Sequence, residues 1–326
     1  MQDILSLAAD NLFSPMILCF ALGLFAALAR SELTVPEAAA KALSIYLLFA
    51  IGFKGGVAVA DHGVDARLIA ALGAGVVLSF ALPFVAFGLL RGMTRLSTTD
   101  AAAVAAHYGS ISIVTFVTGA SVLTAQGIAS EGYMVAVAAA MEAPAIISAL
   151  WLVSRAGSGA KRMDSELWRE ILLNGSIVLL VGSFVIGMVT GQEGMVRIES
   201  FIVSPFQGVL CLFLLDMGLV AGRGLRASRG VLSLGAVAFG FVMPVVGAVA
   251  GLAAGLLLGL STGGVALMMV MAASASYIAV PAAMRVALPE ANPSVYLTLS
   301  LGVTFPFNLT LGIPAYVAIA QAVTGG

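Results

Sequence analysis

Three ionisable residues of this sequence, Lys54, Glu142 and Asp216, stand inside long apolar runs. An unpaired charge in such surroundings is expensive, so each is expected to have either a function or a partner. Glu142 immediately precedes Ala143-Pro144, where the proline loosens a helix. It is expected either to hold a coupling cation or proton, or to form a buried salt bridge. Asp216 has the same two readings. Lys54 would neutralise one of the acids, steer an anion, or snorkel its ammonium to an interface. Two hydroxyl-rich segments accompany these charges: Gly109-Ser110-Ile111-Ser112 with Thr115, and Ser274-Ala275-Ser276-Tyr277 with Pro281. Helices that break there would expose backbone N–H groups whose partial positive charge cradles a small anion. The hydroxyls would cap the new helix ends and the exposed carbonyls would hold Na+. Pro281 is expected to disfavour helix at Val280. The plainer alternative is that these serines bond back to carbonyls of their own helices and assist packing.

The elements that must position these residues are membrane helices. Of 326 residues, 61% are hydrophobic and 10% are charged, with a formal net charge of -1. Such a composition excludes a soluble globular domain, a disordered chain and a nucleic-acid binder. Continuous apolar runs at 177–189 and 231–260 lack the alternation of β-barrel strands. The fold class is therefore all-α and polytopic, with about ten transmembrane helices. The spans are predicted near 13–29, 41–59, 67–90, 99–125, 132–154, 171–190, 203–222, 231–259, 263–288 and 294–322. The fourth and ninth are the broken ones. The polar stretch 155–169 is a linker between a first repeat at 1–154 and a second at 170–326, each of five spans.

Basic residues set the orientation. Arg30, Lys41, Arg91, Arg95, Arg155, Lys161, Arg162, Arg169, Arg223, Arg226 and Arg229 fall in alternate connections, against Arg67 and Arg197 in the opposite set. The linker is then cytoplasmic and both termini lie outside. The N-terminal segment lacks a positive n-region, so the first apolar run reads as a retained span. Five spans per half make the halves inverted relative to each other, and internal matches support a repeat. Leu48 to Gly52 and Gly56 match Leu214 to Gly218 and Gly222; Gly109 to Ser112 match Ala273 to Ser276; Glu142-Ala143-Pro144 match Thr304-Phe305-Pro306.

Other features carry less. Cys19 and Cys211 lie in apolar runs without a CxxC or Cys/His cluster and read as small hydrophobes. His107 reads as a hydrogen-bonded packing residue, with proton shuttling as the alternative, and His62 as solvated. The sequon at Asn308 lies within a span, Gly222-Arg223-Gly224 follows no strand, and no nucleophile–acid–base arrangement suggests an enzyme or an organic cofactor.

The residues resemble the sodium-dependent bicarbonate transporter superfamily, whose characterised members are cyanobacterial inner-membrane symporters. The similarity is carried by Ile51-Gly52-Phe53-Lys54-Gly55-Gly56, Leu215-Asp216-Met217-Gly218, Gly109 to Thr115 with Glu142-Ala143-Pro144, and Ser274-Ala275-Ser276 through Arg285 to Ala291-Asn292-Pro293-Ser294. The resemblance implies Na+-coupled bicarbonate symport in a homotrimer, an elevator-like movement of a core against a gate, and a cytosolic PII-like regulatory partner. By that resemblance Gly109, Ser112 and Thr115 fit the family's first broken-helix pattern, Ser274 and Ser276 the second, and Glu142 its acidic position; the anion is expected at Gly109, Ser110, Ser112, Ser274 and Ser276, and Na+ at Ser112, Thr115, Glu142 and Ser276. Cyanobacterial members carry small or hydroxyl residues where this chain has Ile113 and Val114. They carry an Asp and a Ser where it has Tyr277 and Ala279, so Tyr277 is expected to hydrogen-bond the anion. The alternatives are a proton-coupled or exchange transporter of another anion, and a passive anion channel or sensor.

Overall fold

The computed structural model describes residues 13–63, 65–155, 169, 173, 175–227, 232–277, 280, 281, 283, 284 and 288–325. Residues before Phe13, the linker between Arg155 and Arg169, the side chain of His62, Ala279 and Arg285 lie outside the described residues. The described chain is helical: α1 (Pro15–Leu28), α2 (Glu37–His62), α3 (Ala66–Met93), α4 (Thr98–Gly109), α5 (Ile113–Ala125), α6 (Met134–Ala140), α7 (Pro144–Arg155), α8 (Gly175–Ile202), α9 (Phe206–Ala227), α10 (Leu234–Leu257) and α11 (Thr262–Ala273). A long α12 (Pro293–Thr324) ends it. Among the described residues, eight helical stretches are long and apolar enough to cross a bilayer, and α1 and α11 are shorter apolar helices.

Serines start several of these helices. Ser97, Ser112, Ser233 and Ser261 each accept, through Oγ, the N–H three residues on, a cap that stabilises a helix start by about 1 kcal/mol. Proline shapes α12, where Pro306 and Pro314 lack the N–H that an α-turn requires. The chain widens to π-turns over Thr298–Thr304 and Asn308–Gly312, just before or around those residues.

α1, α2, α8 and α9 form one four-helix group, with α1 against α9 and α2 against α8. Small residues let these backbones approach closely. Gly23 lies against Leu215 and Leu219, Gly218 against Phe20 and Leu24, and Gly222 against Leu24 and Ala27. The contacts advance together along both helices, so α1 and α9 are parallel. Gly52 against Leu180 and Gly56 against Met188 make α2 and α8 parallel by the same argument. Since α8 turns back into α9 through 203–205, α8 runs opposite to α1. In the second group α4 packs on α3 and α7, as α11 packs on α10 and α12, and α3 meets α10.

The sixth span breaks near residue 190, at a kink at Gly191 (φ 55°), where glycine tolerates the left-handed backbone, and a second helical stretch runs on to Ile202, supported by the exposed pair Glu193–Arg197. One local expectation is corrected. Val280 is helical together with Pro281. The carbonyl Pro281 would deprive is that of Tyr277, which already lies in the interruption, so no helical bond is lost.

Candidate functional site

The fourth span breaks between α4 and α5 at Ser110–Ser112, and the ninth breaks after Ala273 through Tyr277. The two interruptions cross and satisfy each other. Ser112 N–H donates to Ser274 Oγ at 2.8 Å, and Ser274 Oγ donates in turn to Met271 O at 2.8 Å. Ser276 N–H donates to His107 O at 2.7 Å and to Ser110 O at 3.1 Å. Backbone freed at membrane depth therefore finds partners in the opposite segment, which is the condition for tolerating a break there. Ser112 also caps α5, accepting Thr115 N–H at 3.2 Å. Gly109 fits its helix end against Pro83 and Ser79, where a side chain has no room.

A third interruption brings in the acid. The fifth span bends at Met141–Ala143 between α6 and α7, and Ser79 Oγ donates to the freed Met141 O at 2.7 Å. This exposes Glu142 to a cavity of about 20 Å³ shared with Ser112, Ser276, Tyr277 and Ser44. Such a space admits one water-sized species. Its walls come from both helix groups, Leu47 and Leu48 of α2 and Phe213 of α9 facing Ile113, Val114 and Val117 of α5. Glu142 is 2% exposed. Its Oε2, with Ser110 Oγ, Thr115 Oγ1 and Tyr277 OH, is buried without a hydrogen-bond partner. A carboxylate amid neutral hydroxyls and carbonyls is a hard-oxygen donor set, of the kind that binds alkali and alkaline-earth cations or a proton.

Of the sequence-derived candidates, the cavity unites Ser112, Glu142, Ser276 and Tyr277. Ser110, Ser274 and Thr115 belong to the crossing beside it. Ser274, bonding back to Met271, partly takes the packing role given as the plainer alternative. Lys54 stands apart in a second cavity, its Nζ 4.4 Å from the Phe206 ring centroid. Asp216 is buried on α9 and lines neither cavity. The ion pair recorded among the described residues joins Glu193 to Arg197, and neither intramembrane acid pairs with Lys54. His107 packs: its Nδ1 bonds Ala103 O at 2.7 Å and its ring stacks on Tyr296.

Sequence reasoning passed over Asn308, whose Nδ2 donates to Ala273 O at 2.8 Å while its Oδ1 accepts Tyr316 OH at 3.0 Å. The available signal was an amide in an apolar run. It also missed Thr304, which donates to Gly240 O and meets Tyr108 OH, both at 2.7 Å.

Two comparisons with known proteins bear on this arrangement. A family model described as the Na+-dependent bicarbonate transporter superfamily matches residues 15–321, nearly the whole chain. A search among curated proteins finds no match.

Proposed function

The chain belongs to the Na+-dependent bicarbonate transporter superfamily, and from that premise we propose that it is a secondary active symporter driving a small anion, bicarbonate, with Na+. The observation that carries this reading is the cavity at the crossed interruptions, where Glu142 presents a buried oxygen that nothing in the protein satisfies, with the equally unpartnered oxygens of Thr115 and Ser110 in the crossing beside it. Glu142, Thr115, Ser112 and Ser276 hold Na+. The N–H groups at the start of α5, with the hydroxyls of Ser110, Ser112, Ser274, Ser276 and Tyr277, cradle the anion beside it. The water-sized cavity suits the cation as it stands, and the anion needs Tyr277 and the α5 wall to part. Because the two helix groups supply opposite walls, sliding one past the other would carry the site from one face to the other, an elevator-like movement.

Ten spans in two inverted repeats, 1–154 and 170–326 about the 155–169 linker, complete the proposal. The antiparallel sense of α8 and α1 supports it, as does the exchange of equivalent partners between halves. The proposal extends to a homotrimer in a bacterial inner membrane with both termini outside, lipid covering apolar faces such as the exposed Val181, Val185 and Val189 of α8. A cytosolic PII-like protein is its regulator.

The test is uptake of labelled bicarbonate into proteoliposomes, with an inward Na+ gradient and with choline in its place. Concentrative uptake that requires Na+ and is lost in the folded Ser112→Ala/Ser276→Ala protein is expected. Equal uptake in choline overturns Na+ coupling. A second reading, proton coupling through Glu142, is favoured by its unpartnered Oε2 and requires uptake that follows a pH gradient and ignores Na+.

A further inference from the structure

The second cavity, of about 400 Å³, lies between the helix groups, bounded by α2, α5, the loop before α6 and the start of α9. Val117 lines both this cavity and the small one around Glu142, so the two are neighbours. Its chemistry differs from that of the inner site. Lys54 is its cation, and hydroxyls and an amide from Ser121, Thr124, Ser130 and Gln207 share the lining. Glu131 is its carboxylate, but both of its oxygens are engaged: Oε1 accepts Ser261 N–H at 2.7 Å and Oε2 accepts Ser261 Oγ at 2.9 Å, at the start of α11. Lys54 has no ion pair among the described residues and rests its ammonium over the Phe206 ring. A cation–π contact orients an ammonium without neutralising it. The vestibule therefore presents an ammonium without an ion pair among the described residues, the opposing Glu131 carboxylate being held by Ser261 at the start of α11, in a volume that holds a small anion with part of its hydration.

We propose that Lys54, steadied by Phe206 and flanked by Gln207, forms a separate recruiting subsite for a small monovalent oxyanion or carboxylate, occupied before the anion reaches the crossed interruptions. This rests on the transporter reading for its purpose but not for its chemistry. A fixed charge at the mouth of a low-dielectric cleft raises the local concentration of its counter-ion. Its loss should weaken anion capture more than turnover.

The experiment reads occupancy directly. Purified protein in nanodiscs is treated with a small amine-acylating reagent in bicarbonate, formate, nitrate or gluconate, and modification of Lys54 and of Lys41, exposed on α2, is followed by peptide mass spectrometry. Bicarbonate, formate and nitrate are expected to protect Lys54 severalfold relative to gluconate and to leave Lys41 unchanged, in wild type and in Ser112→Ala/Ser276→Ala alike. Lys54 modification indifferent to all four anions overturns the subsite, as does protection that vanishes in the double variant. In uptake assays, Lys54→Gln is expected to raise the KM for the anion on the order of tenfold with maximal rate and Na+ half-saturation retained, and Lys54→Arg to restore it. An equal loss of maximal rate overturns the recruiting role. Wild type that transports no bicarbonate defeats the proposed function, while the labelling result still decides the subsite.

Discussion

Around the first interruption, Ser110 Oγ, Thr115 Oγ1 and Glu142 Oε2 are buried with no partner. Around the second, Tyr277 OH is likewise without a partner, but Thr304, the match of Glu142, bonds Gly240 and Tyr108, Ser274, the match of Ser110, bonds Met271 and Ser112, and nearby Asn308 bonds Ala273 and Tyr316. The two broken spans begin alike, at the serine caps Ser97 and Ser261. Side chains distinguish them. A buried unsatisfied polar group costs about 1–3 kcal/mol, and this cost supports the proposal that a ligand is held on the less satisfied side, around Glu142. In that proposal the bonded side chains of the other side buttress the crossing.

The sharpest test exchanges charge for shape on the unsatisfied side. Glu142→Gln keeps the volume and removes the carboxylate, and losing a charged ligand of about 3 kcal/mol should lower Na+-driven uptake on the order of 100-fold, with protein that still elutes as folded. Its counterpart, Thr304→Val, should leave uptake by the folded protein within about twofold, because it removes only protein–protein hydrogen bonds. A folded Thr304→Val protein that cannot transport would break the distinction between the halves.

The buttress should show itself in stability. Asn308→Ala leaves Ala273 O and the Tyr316 hydroxyl unpaired in a buried setting, and a loss of about 1–3 kcal/mol is expected in mixed-micelle unfolding. An unchanged unfolding midpoint would mean that the second interruption does not need its amide.

Much of this frame is legible in the sequence because a bilayer leaves the chain few choices. The apolar runs mark the helices, and the Gly-Ser and Ala-Ser clusters mark where they stop, since only those segments can meet freed backbone groups. Glu142 before Ala143-Pro144 stands out for the same reason. Three features were illegible. The far half of α8 carries Glu193, Arg197 and Glu199, a charge density that reads as a loop until the helix places Glu193 beside Arg197. Asn308 reads as a sequon because nothing local shows that Ala273 O needs a donor. Lys54 over Phe206 is a contact between distant helices, and the engagement of Glu131 by Ser261, which holds that carboxylate at the start of α11, is equally non-local.

The smallest effects separate a ligand site from a packing defect. If the unsatisfied oxygens await Na+, then Na+ at 100 times its dissociation constant should stabilise the folded wild type by about 2.7 kcal/mol, and Glu142→Gln should abolish that increment while Thr304→Val keeps it. Thr115→Val then gives the finest discrimination. Its hydroxyl has no partner to lose, so deleting it should leave the stability without Na+ unchanged or slightly higher. If that oxygen is a Na+ ligand, half-saturation by Na+ should rise by about five- to tenfold, the equivalent of one neutral oxygen contact of about 1 kcal/mol. The two changes have opposite signs, which a merely structural hydroxyl cannot produce. A Thr115→Val protein that loses stability in choline and keeps its Na+ dependence would return Thr115 to the packing of α5 and confine the cation to Glu142 and the crossed serines.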